Sequence, residues 1–122
     1  MKKILLPFVC VLTAVLLSAC ESSSPEACVK QCWKLLDKGR YNKAVELFDI
    51  PADHVPVYTE MFAENGGALR SAGGVKSVEI VSKNEGADDA TVEAAVHLGN
   101  GNVTKCTYHL IKRNGAWKIL NE

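Results

Sequence analysis

The chain has no surplus of charge: fourteen Lys and Arg stand against fourteen Asp and Glu, for a formal net charge of zero. Without a basic excess there is no electrostatic case for binding DNA or RNA, whose recognition begins with phosphate neutralisation. Internal repeats are absent, and 48% hydrophobic with 23% charged residues excludes a disordered or collagen-like chain. There is no Gly-rich phosphate loop after a strand, no Ser-His-Asp order worth naming and no Cys-x-x-Cys pair. The longest apolar run, Ile4 to Leu17, is broken only by Pro7 and Thr13 and is too short to cross a hydrocarbon layer of roughly 30 Å comfortably. The 122 residues allow one domain with one modest core.

What is present begins with an address. Met1-Lys2-Lys3, the apolar run and the small residues Ser18 and Ala19 have the charge, length and boundary of a secretory signal. Leu17-Ser18-Ala19-Cys20 resembles the lipobox of bacterial lipoproteins. That resemblance implies diacylglyceryl transfer to the Cys20 thiol, cleavage before it, and acylation of the new amino terminus. Residues 1–19 are then a signal peptide, 20–24 a lipidated tether and 25–122 one domain. Two or three acyl chains hold almost permanently, each buried methylene contributing roughly 0.8 kcal/mol. Removing Lys2 and Lys3 leaves 12 basic and 14 acidic residues, a mature charge of −2. Glu21, rather than an Asp, follows the anchor, which favours the outer over the inner membrane. The four polar residues after Cys20 reach only about 14 Å, so the domain sits close to the bilayer.

The rest reads as helices, then strands. Ser23 or Ser24 caps a helix whose first turn tolerates Pro25, and Val29, Cys32, Trp33, Leu35 and Leu36 recur at helical spacing until Gly39. A second short helix is predicted over Tyr41–Phe48. A third is predicted over Asp53–Ala72, broken near Gly66-Gly67. Beyond Gly74 the period becomes two: Val78 and Ile80, then Val92 to Leu98, then Cys106 to Leu110 face inward. Asn114-Gly115 is a type I′ hairpin signal, pairing Arg113 with Ala116, Lys112 with Trp117 and Leu110 with Ile119. The layout is α+β, with N-terminal helices packed on one face of a four-stranded antiparallel sheet.

Ser24-Pro25-Glu26, the Gly39-Arg40-Tyr41…Ala44 junction, Gly74-Val75-Lys76-Ser77-Val78-Glu79 and Asn114-Gly115-Ala116-Trp117-Lys118-Ile119 resemble small bacterial lipoproteins of unassigned function. Those are similar to the nuclear-transport-factor-2-like, cystatin-like superfamily, which implies a curved sheet wrapped on a helical layer. Cys32 and Cys106 stand where that family is usually apolar. The superfamily hosts enzymes, binding modules and scaffolds, so it implies fold rather than activity.

An oxidising compartment outside the cytosol invites a disulfide among Cys28, Cys32 and Cys106. Cys28 and Cys32, four apart on a helix, hold their Cβ atoms about 5–6 Å apart, too far for the roughly 3.5–4.5 Å of a disulfide. A bridge from the first helix to Cys106 is natural, with Cys32 preferred over Cys28 because Cys32 lies one turn from Leu36. Three free thiols acting as small hydrophobes are the other outcome. Closing a loop of about 75 residues stabilises by at most roughly 4.5 kcal/mol. A zinc set of Cys28, Cys32, Cys106 and His109 fails, because residues 106 and 109 point to opposite strand faces.

No catalytic constellation is legible, and no metal or cofactor is called for. His97 and His109 fall on the outward sheet face, with Glu93 expected opposite His109. His54 reads as a turn residue beside Asp53, and Asp88-Asp89 as a turn pair. The residues expected to line a pocket between helices and sheet are Trp33, Tyr58, Tyr108 and Trp117. Function is therefore expected to be that of a membrane-anchored envelope lipoprotein, a non-enzymatic module for a protein partner or a small apolar ligand. The alternatives are a dimeric accessory joined through the outer sheet face, where Val81, Val103, Ile111 and Leu120 lie, and a pocket isomerase or hydrolase.

Overall fold

Ser24 is the residue that starts the first helix: its Oγ accepts a hydrogen bond from the Ala27 N–H at 3.1 Å. A computed structural model describes residues 24–121, so the expected signal peptide, Cys20 and most of the expected tether lie outside the described residues. Helix α1 spans Pro25–Asp37 and buries Cys28, Val29, Cys32 and Leu35. Gly39, at a φ of 75°, takes the left-handed turn that ends it.

Helix α2 is shorter than predicted, Tyr41–Val45. Local propensity loses here to a sheet edge. The Leu47 carbonyl accepts from the Ile119 N–H at 2.8 Å, and Phe48–Asp49 becomes strand β1, parallel to the last strand. A 3₁₀ turn over Ala52–His54 leads into helix α3, Val55–Ser71. Gly66-Gly67 does not break α3. Gly66 is the helix's one buried residue, and a Cβ there would collide with the Tyr41 ring, so this glycine admits a neighbour rather than a kink.

Strands β2 (Val75–Glu85), β3 (Asp89–Leu98), β4 (Val103–Arg113) and β5 (Ala116–Leu120) complete a five-stranded sheet in the order β1-β5-β4-β3-β2. The sheet is mixed, not the expected four antiparallel strands, because β1 adds in parallel beyond β5. The final hairpin has the predicted register, with Asn114 and Gly115 at φ 52° and 82° as a type I′ turn requires. Two register shifts in β2 were not legible, one between Val75 and Ser77 and one where Ile80 pairs with Ala94 and Ser82 with Glu93, leaving Val81 as an unpaired bulge residue. Lys83 consequently lies opposite Val92, on the helix side, where it meets Glu26 of α1 at 2.8 Å.

The core gathers Cys28, Val29 and Cys32 of α1 with Val92, Ala94, Leu110, Trp117 and Ile119 of the sheet. On the outer face, β3–β4 pairing places Thr91 opposite His109 and Glu93 opposite Thr107, so the expected Glu93–His109 pair is displaced by one step of the strand face. Glu79 instead meets His97, at 3.1 Å. Val103 lies opposite His97 near one end of β4, while Ile111 lies opposite Asp89 near the other. Lys105, Thr107 and His109 lie between them on that face of β4.

Candidate functional site: an apolar cleft between helices and sheet

Helix α3 does not press its length on the sheet. Between it, the C-terminal half of α1 and the inner sheet face lies a half-open cleft of about 450 Å³. Each element supplies lining by its own period. On α3, Phe62, Gly66 and Leu69 recur at helical spacing. On α1, Cys32, Trp33 and Leu36 form the last inward turn, and on β4 Thr104 and Tyr108 share the inward parity. Phe48 of β1 closes one side, its ring 5.1 Å from that of Phe62 and tilted by 58°.

Of the four residues expected to line a pocket, the structure brings two together. Trp33 Nε1 donates to Tyr108 Oη at 2.9 Å inside the cleft. Tyr58 is outside it, its hydroxyl accepting from the Asn121 amide. Trp117 is 1% exposed within the core, with Lys112 Nζ 5.2 Å from its ring centroid. Trp117 was misplaced because inward parity alone does not tell a filled core from a cleft. The lining residues missed include Phe48, Phe62, Asn65, Leu69, Leu98 and Thr104. Spacing on α3 was the available signal for Asn65, whereas Phe48 depends on a pairing between distant segments.

Among the described residues, no carboxylate, histidine, lysine or arginine lines the cleft. Its titratable groups are one thiol and one phenol. Burial, helped by the nearby Cys28, pushes the Cys32 thiol up to about 12. Burial also pushes the Tyr108 phenol well above its ordinary value, and the neighbouring Cys106 thiol adds to this while the Trp33 bond opposes it. Both groups are therefore neutral at physiological pH. Cys28 is pushed up to about 11 by burial, which the Lys118 charge partly offsets, and its Sγ lies 3.6 Å from the Trp117 carbonyl. The thiols of Cys28, Cys32 and Cys106 are all free in this structure, and the expected Cys32–Cys106 bridge is not formed in it.

A second, shallower groove of about 570 Å³ runs beside β1. Its cations are already engaged, Arg113 with Asp49 at 3.2 Å and Lys118 with the Glu46 backbone carbonyl. The apolar cleft is the better-formed site: concave, mostly apolar, with few polar groups.

No protein-family model and no curated protein matches the sequence. Solved structures do match. A Campylobacter jejuni protein, provisionally named an NTF2-like transpeptidase, superposes with a TM-score of 0.71 at 25% identity, over 81% of this chain and 99% of that one. A SEC-C-motif-containing protein from Rhodopseudomonas palustris superposes with a TM-score of 0.63 at 18% identity, over 88% of this chain and 84% of that one. The domain is thus α+β and NTF2-like, with helices on one face of a sheet.

Proposed function

We propose that the protein is a membrane-anchored bacterial envelope lipoprotein whose domain binds a small, uncharged, largely apolar ligand in the cleft. The observation that carries the binding half is the lining itself. Among the described residues it has four aromatic side chains, no charged one, and few polar ones: the bonded pair Trp33 and Tyr108, with Asn65, Thr104 and the Cys32 thiol. A charged ligand would lose hydration there without meeting an opposite charge. The lipobox-like Leu17-Ser18-Ala19-Cys20 supports the anchoring half.

Transpeptidation, the activity in the name of the Campylobacter jejuni protein, is less well supported for this chain. The Cys32 thiol in the cleft is held protonated by burial, and among the described residues no histidine lines the cleft to activate it or the Thr104 hydroxyl. The binding test is titration with a neutral naphthylamine dye, read by its own emission and by quenching of Trp33, with buried Trp117 as the internal reference. Saturable binding is expected, weakened about tenfold or more by Ala68→Leu, which puts bulk into the cleft from an exposed helix position. Non-saturable emission, indifferent to that substitution, would remove the binding role.

A further inference from the structure

The described residues divide unevenly in charge. Residues 30–43 carry Lys30, Lys34, Lys38, Arg40 and Lys43 against Asp37 alone, a net +4, and the other described residues carry −4. Lys30, Lys34 and Lys38 follow one another at four-residue intervals, so they form a row with steps of about 6 Å along one side of α1 and its cap. Lys30 and Lys34 line a groove with Val75, Ser77 and Val78 of β2, the strand that also carries Lys76 at an irregularity between Val75 and Ser77. All four lysines are exposed, and none forms an ion pair with another described residue. The one acid among them, Asp37, is engaged, its Oδ1 accepting from the Val75 N–H at 2.9 Å.

We propose that this lysine row docks α1 onto the anionic phospholipid headgroups of the bilayer that holds the lipid anchor. The proposal rests on the anchoring reading of Cys20. Its logic is one of position as well as sign. The tether from Cys20 to Ser24 spans at most about 14 Å, so α1 is the first folded element to meet the bilayer. A basic row on the helix nearest the anchor adds a second, electrostatic attachment, worth about fivefold in partitioning for each lysine that reaches an anionic surface. The rest of the domain, carrying the compensating negative charge, is repelled by the same surface and turns outward. Docking sets the orientation of the domain on the bilayer.

The test uses the full processed protein in vesicles of phosphatidylcholine alone, or with phosphatidylglycerol as a minor component. Lysine acetylation rates are read by peptide mass spectrometry, and the intact mass reports the acyl chains. Lys30, Lys34, Lys38 and Lys76 are expected to react about fivefold or more slowly in the anionic vesicles, recovering in molar salt, with Lys105 of the outer sheet face unchanged. The triple variant Lys30→Glu, Lys34→Glu, Lys38→Glu, all at exposed positions, is expected to abolish the protection of Lys76. With acyl mass present, equal rates in both vesicles overturn the docking and leave the anchor standing. Protection that is the same in both vesicles and insensitive to salt assigns it to the tether and also overturns the docking. Absence of acyl mass overturns both readings.

Discussion

The thiol of Cys32, 3% exposed, illustrates how burial alone sets chemistry. Its pKa is raised from an ordinary 9 to about 12, and that of Cys28 to about 11. A group raised on folding contributes stability fully below its unfolded pKa, and loses it as pH climbs through the folded one. Unfolding free energy of the reduced protein should therefore be flat in this respect up to about pH 9 and fall above it, by roughly 1.4 kcal/mol per pH unit per thiol. Denaturant titrations across alkaline pH check this, and Cys32→Val should remove part of the slope. For the same reason, native Cys32 should be alkylated at pH 8 much more slowly than an unfolded thiol. Material matured in an oxidising compartment is expected to yield a Cys32–Cys106 peptide under non-reducing digestion. Complete alkylation of Cys28, Cys32 and Cys106 without reduction would reject that bridge. At Tyr108, substitution by Phe leaves Trp33 Nε1 without its partner at the cleft wall, a cost of about 1 kcal/mol. Thermal unfolding would register it.

At the scale of the element, the helices and hairpins differ in how far the sequence foretold them. The Asn114-Gly115 turn needs two left-handed residues, and few residue pairs supply them, so turn chemistry and hydrophobic parity agreed on one register. Ser24, Pro25 and Gly39 marked α1 for equally local reasons. The failures were non-local. Strand β1 is two residues long, and its reason for existing is β5, some seventy residues later. The bulge at Val81 flips side-chain parity within a run that still looks regular. Gly66 resembles a helix breaker until Tyr41 is seen beside it. That contact gives a sharp test. Gly66→Ala should gain about 1 kcal/mol in helix propensity, yet overpacking against the Tyr41 ring should cost about 1–3 kcal/mol. A net loss in the single variant, relieved when Tyr41→Ala is combined with it, is the expected double-mutant result by urea denaturation.

For the molecule as a whole, half of the named cleft wall was legible beforehand, because Trp33 and Tyr108 follow from helical and strand periods read separately. The cleft itself was not, since a cavity is a property of how three elements fail to meet. A ligand that fills it should stabilise the fold by mass action, about 2.7 kcal/mol at a hundredfold excess over the dissociation constant. The melting temperature should therefore rise with concentration of the naphthylamine dye, and less so in Ala68→Leu.

Helix α3 has seventeen residues and buries one of them, while Val57 and Met61 on it remain 63% and 42% exposed. Amide protons along α3 should accordingly trade with deuterium well before those of β3 and β4, whose side chains form the core. The roof of the chamber is then also its door. Guests would enter by a brief loosening of one helix, while the strands beneath stay shut.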